Sequence, residues 1–91
     1  MSCEQRPAQN IIFGKVLRRL RKSKGVSQET LAFESGLARS YISLLELGQR
    51  SPTLDTLFSL CNALGISLID LATQIEMSAA ALPLQNDRYP S

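Results

Sequence analysis

The 91-residue sequence contains no histidine and two cysteines, which removes most of the side-chain chemistry a small enzyme would need. Without histidine there is no Ser–His or Cys–His nucleophile pair. Two lone cysteines cannot close a tetrahedral zinc site without outside ligands. Cys61 lies in an apolar stretch and reads as a small reduced core residue, while Cys3 lies in a polar one. No catalytic constellation, metal set or cofactor motif remains, so the expectation is a binding protein, not an enzyme, with no cofactor and no metal.

Long hydrophobic runs are also missing. None approaches the roughly 18 residues of a membrane span. The opening MSCEQRPAQN lacks the apolar centre of a secretion signal. A cytoplasmic protein with no membrane partner is expected. Hydrophobic residues at 44% and charged ones at 20% fit one folded domain and not a disordered chain.

A net charge of +2 conceals an asymmetry. Residues 1–50 hold nine Lys or Arg against Glu4, Glu29, Glu34 and Glu46, a net +5. Residues 51–91 hold only Arg88 against Asp55, Asp70, Glu76 and Asp87, a net −3. A basic half joined to an acidic half suggests polyanion binding by the first, although a merely solvated basic helix face would show the same charge.

Periodicity predicts an all-α chain of five short helices. Phe13, Val16, Leu17 and Leu20 recur at i, i+3, i+4 and i+7, one stripe of a helix from Asn10 to about Lys24, and Gly25 stops it. Ser27 caps a second helix, Gln28–Ser35, which ends at Gly36. A third runs from Arg39 to about Leu47. Thr53 caps a fourth through Leu64, with Leu54, Leu57, Phe58, Cys61 and Leu64 expected on its inner face. Ser67 and Asp70 form a capping-box-like start to a fifth, whose stripe is Leu68, Leu71, Ala72 and Ile75. Residues 1–9 and 79–91 read as tails around a domain of residues 10–78.

The second and third helices carry the most constrained pattern. Ala32 falls where crossed helices need a small side chain, Gly36 makes the turn, and Leu31, Leu37, Ile42 and Leu45 point inward. The stretch from Ser27 to Leu71 resembles the helix–turn–helix family of phage-repressor and Cro-like (XRE-type) transcription regulators. Gly36-Leu37-Ala38-Arg39-Ser40-Tyr41-Ile42-Ser43 makes it most similar to the controller proteins of restriction–modification systems.

That resemblance implies a lambda-repressor-like domain that places its third helix in the major groove of double-stranded DNA. Arg39, Ser40, Ser43 and Leu44 would face base edges. Arg39 suits a bidentate contact to guanine, and Leu44 a thymine methyl. Gln28, Tyr41, Gln49, Arg50 and Ser51 would hold the DNA backbone. Arg21 and Glu46 match an ion pair that fixes two helices in related repressors.

One feature of the third helix points the same way without the resemblance. Ala38 supplies no capping oxygen and Arg39 opposes the helix dipole, so this helix begins badly for stability alone. Local rules tend to fail at functional sites.

A homodimer on a palindromic operator is expected, with half-sites about 34–36 Å apart. Its interface is expected from Ile66, Leu68, Ile69, Ala72 and Ile75, which exceed one helix face. No small-molecule effector is expected. The rival expectation is an antitoxin-like or adaptor module whose apolar C-terminal half captures another protein and binds DNA weakly.

Overall fold

Helix ends, more than helix interiors, set the architecture. The computed structural model describes residues 8–81. Across them run α1 (Ala8–Lys24), α2 (Gln28–Ser35), α3 (Arg39–Glu46), α4 (Leu54–Leu64) and α5 (Leu68–Ala80), with no strand among the described residues. Ser27, Thr53 and Ser67 sit in extended conformation before α2, α4 and α5. Each accepts a hydrogen bond from the backbone N–H three residues on. Those bonds satisfy donors that a first helical turn leaves unpaired. Gly36, at φ 75°, adopts the left-handed conformation that a Cβ disfavours, which allows the short turn from α2 into α3.

One core joins the five helices. α1 contributes Ile12, Phe13, Val16 and Leu17, α2 contributes Leu31 and Ala32, and α3 contributes Ile42 and Leu45. Leu60, Cys61 and Leu64 of α4 and Leu71 of α5 complete it. α1 lies against α3, α4 and α5, while α2 packs on α3 and α4. Val16, Leu31, Ile42, Leu45 and Leu60 are fully enclosed. Truncating any of the three leucines to alanine costs about 2–5 kcal/mol by the usual loss of transfer energy plus the cavity left behind. Cys61 is a free thiol in this core, and burial pushes its pKa up, which keeps it protonated and unreactive.

Several expectations are corrected. α1 begins at Ala8, two residues before the expected Asn10, and α5 continues to Ala80. Residues 1–7 and 82–91 of the expected tails lie outside the described residues. α3 ends at Glu46, with Leu47 as its C-cap.

The inner face of α4 is rotated from the expected one. Leu54 and Phe58 are exposed, at 62% and 48%, and Leu57 is half-buried. Thr56 and Leu60 take the buried places. The cause is polar: Thr56 donates its N–H to the Thr53 cap, and its hydroxyl lies 3.0 Å from Thr53 Oγ1 and 3.3 Å from the Tyr41 hydroxyl. Satisfying that cluster turns Thr56 inward and Leu54 out. In α5 only Leu71 of the expected stripe is buried. Leu68 and Ile75 are half-buried, and Ala72 is exposed.

Candidate nucleic-acid interface

α3 has two opposed stripes. Ile42 and Leu45 are buried against α1 and α2, which sends Ser40, Ser43 and Leu44 toward the opposite side. Arg39 and Ser40 are exposed, while Ser43 and Leu44 are half-buried. Ala38 adopts the extended conformation of an N-cap, yet its side chain makes no capping bond. Among α2 to α5, α3 alone begins on a residue without a capping oxygen. Its first N–H groups and the Arg39 guanidinium therefore form an electropositive tip, suited to an anion.

Two devices set the angle of α3. Gly14 of α1 brings the helices together, since a Cβ there would stand 2.5 Å from the Leu45 carbonyl oxygen and 2.6 Å from that of Glu46. Behind that contact Arg21 and Glu46 form a bidentate pair, with Nε to Oε2 at 2.6 Å and Nη2 to Oε1 at 3.1 Å. Both side chains are nearly enclosed, at 10% and 4% exposure. Arg21 Nη1 also donates to the Val26 carbonyl at 3.0 Å, tying in the α1–α2 turn. The bond to Glu46 raises the Arg21 pKa above its ordinary value against the opposing pull of burial, so the guanidinium stays charged.

Gln28, expected at the DNA backbone, opens α2 and donates Nε2 to Glu46 Oε1 at 3.0 Å. Its carboxamide keeps one N–H and its oxygen for another partner. Tyr41, expected beside it, is half-buried, and its hydroxyl meets Thr56 Oγ1. Gln49, Arg50 and Ser51 are exposed in the loop that follows α3. The N–H of Gln49 donates to the Leu44 carbonyl at 2.9 Å, which seats that loop on the end of the helix.

The basic face of α1 is divided by what its side chains hold. Arg19 donates to Gln74 of α5 at 2.7 Å, and Lys24 donates to the Ala63 carbonyl at the end of α4 at 3.0 Å. Arg18 instead lines a polar groove of about 170 Å³ with Arg21, Gln28, Ser43, Glu46 and Leu47.

Leu47 was not among the expected site residues. It is 56% exposed and continues the stripe Ser40, Ser43, Leu44 at i+7. It fell within the span expected for the third helix, and the i+7 spacing from Ser40 would have found it. Of the expected association residues, Ile69 is 77% exposed and Ala72 is exposed, whereas Ile66, Leu68 and Ile75 are half-buried against the core. No single described helix is long and apolar enough to cross a membrane, and no metal-binding cluster occurs among the described residues.

Comparison with known proteins places this geometry in a recognised group. The helix-turn-helix family profile matches residues 17–81. The chain is 45% identical over 62 residues to the control protein C.BamHI of Bacillus amyloliquefaciens, an alignment covering 67% of this chain and 76% of that protein. Among solved structures it is similar to the restriction–modification controller protein C.AhdI of Aeromonas hydrophila. That match has 49% identity and a TM-score of 0.70 over 71% of this chain and 98% of the other. A structure of C.Esp1396I bound to a 25-base-pair operator site matches with 27% identity and a TM-score of 0.76, over 81% of this chain and 97% of that one.

Proposed function

The chain belongs to the helix-turn-helix family of transcription regulators, and from that premise we propose that it binds double-stranded DNA in a sequence-specific manner as a homodimer, with α3 in the major groove. The observation that carries this reading is the make-up of α3. It is held at a fixed angle by the Arg21–Glu46 pair, uncapped at its tip, and lined outward by Arg39, Ser40, Ser43 and Leu44. A rigid helix whose exposed side consists of donors followed by apolar methyl groups suits base edges, which present acceptors and the thymine methyl.

Arg39 at the tip takes guanine O6 and N7, and Ser40 takes an adjacent base or sugar-phosphate oxygen. Ser43, Leu44 and the newly found Leu47 follow along the groove. Gln28, Tyr41, Gln49, Arg50 and Ser51 bracket α3 and hold the DNA backbone, the first two already oriented by Glu46 and Thr56. That C.Esp1396I has been solved on an operator supports operator binding by this chain. Association through α5 would present two reading helices to a palindromic site. The protein acts where its DNA is, in the cytoplasm, by binding and not by catalysis.

Selection of bound duplexes from a random pool tests the reading. The full chain is expected to enrich a two-fold symmetric site. Arg39→Ala relaxes the preference at one base position per half-site, at about 1–3 kcal/mol of lost discrimination, whereas Arg50→Ala weakens all duplexes alike. An unchanged preference in Arg39→Ala, or no enrichment by the parent chain, would overturn the assignment.

A further inference from the structure

The groove at the junction of α1, α2 and α3 holds a cation that neither the fold nor the reading helix uses. Arg18 is exposed and forms no hydrogen bond with another described side chain, unlike Arg19, Arg21 and Lys24, which are spent on Gln74, on Glu46 and on the Ala63 carbonyl. It shares the groove with Gln28 and Ser43. The one acid among its described lining residues, Glu46, accepts from Arg21 Nε, Arg21 Nη2 and Gln28 Nε2, so its charge is already answered by three donors.

From this we infer that Arg18 and Gln28 together form a DNA phosphate site on the flank of the reading helix. Arg18 supplies the charge and Gln28 a directed N–H. This rests on the DNA-binding reading above and adds to it a contact from α1. The argument is one of charge and access. With Glu46 paired, Arg18 is the single uncompensated charge among the described residues of the groove, and a phosphate diester is the anion that a duplex along α3 would bring to it. The planar guanidinium fits two phosphate oxygens. Ser43 lines the same groove on its α3 side, so the phosphate held there neighbours the bases which α3 reads. Without Glu46 as acceptor, Gln28 would lose its orientation. The buried ion pair thereby serves the anion site as well as the helix angle.

Salt dependence is the discriminating measurement. Binding of the full-length protein to its selected duplex and to an unrelated duplex is titrated at several KCl concentrations. For the parent chain the logarithm of the binding constant falls linearly with the logarithm of salt concentration. In Arg18→Ala that slope is expected to shrink by about 0.9, the value for one phosphate contact on duplex DNA. Both duplexes weaken by the same factor, and the selected sequence does not change. Arg18→Lys keeps most of the slope. Arg19→Ala, which removes an equal charge already engaged with Gln74, leaves it as in the parent and so controls for long-range charge loss. An Arg18→Ala slope equal to that of the parent would overturn the inference while leaving the DNA-binding reading intact. Failure of the parent to prefer any sequence overturns both.

Discussion

Gly14 on α1 and Leu45 on α3 meet backbone to backbone, so closely that a Cβ on Gly14 would stand 2.5 Å from the Leu45 carbonyl oxygen. A mid-helix glycine costs roughly 0.5–1 kcal/mol relative to alanine. The chain retains it because no other residue lets the two helices approach this far.

Gly14→Ala therefore has two opposed terms. Helix propensity favours it by up to about 1 kcal/mol. Overpacking against two carbonyl groups that belong to backbone and cannot rotate away opposes it by about 1–3 kcal/mol or more. The second prevails. Thermal melting should show a lower Tm, on the scale of roughly 4–8 °C per kcal/mol for a domain of 60–100 residues. DNA affinity should fall further than stability alone explains, since α3 is displaced as a unit. A raised Tm would contradict the close approach.

Glu46→Ala leaves the Arg21 guanidinium nearly enclosed with, among the described residues, only the Val26 carbonyl to accept from it. Breaking one side of a buried pair costs about 3–5 kcal/mol, because a charge is stranded away from water. The Glu46→Leu, Arg21→Met double substitution removes both charges and should recover most of that loss. Urea denaturation of the parent, Glu46→Leu, Arg21→Met and the double substitution measures the coupling. Additive effects of those two single substitutions would show that the pair is not a unit.

How far the sequence disclosed this structure depended on whether local rules decided each position. The caps Ser27, Thr53 and Ser67, the turn at Gly36 and the ends of α2 and α4 were legible because each follows from backbone hydrogen bonding over four residues. The face of α4 was not. Leu54 and Phe58 have the apolar spacing of a core stripe, but Thr56 is drawn inward by Thr53 and by Tyr41, fifteen residues away. Leu47 was legible by spacing, since it lies at i+7 from Ser40 within the span expected for the third helix, although it proves to be the C-cap of α3. The groove at Arg18 requires three helices to be placed before its residues come together, and no spacing in one segment announces it.

Ala38→Ser and Ala38→Asp separate folding from binding at the tip of α3. Either side chain can cap α3 and stabilise the protein by about 0.5–2 kcal/mol, seen as a rise in Tm. Asp adds a negative charge that suits the helix dipole and repels a phosphate. DNA binding by Ala38→Asp should therefore weaken while its stability rises, and Ala38→Ser should bind more nearly as the parent does. If Ala38→Asp gains both stability and affinity, the tip of α3 does not face DNA.

Ile69 tests association. It is 77% exposed on α5, so Ile69→Asp should leave the helical content and Tm close to those of the parent. If α5 pairs with a second copy, burying an unpaired carboxylate at the contact is expected to cost at least about 2 kcal/mol. That corresponds to a dimer dissociation constant higher by roughly 30-fold. Sedimentation equilibrium reads this directly. Operator binding should weaken in parallel, because a monomer presents one reading helix instead of two. Ala72→Asp, one turn further along on an exposed position, should act in the same direction, whereas a charge at the exposed Phe33 of α2 should not. A parent chain that sediments as a monomer, or an Ile69→Asp dimer as tight as that of the parent, would move the contact away from α5. The exposed Leu54 and Phe58 of α4 would then be the next apolar surface to test.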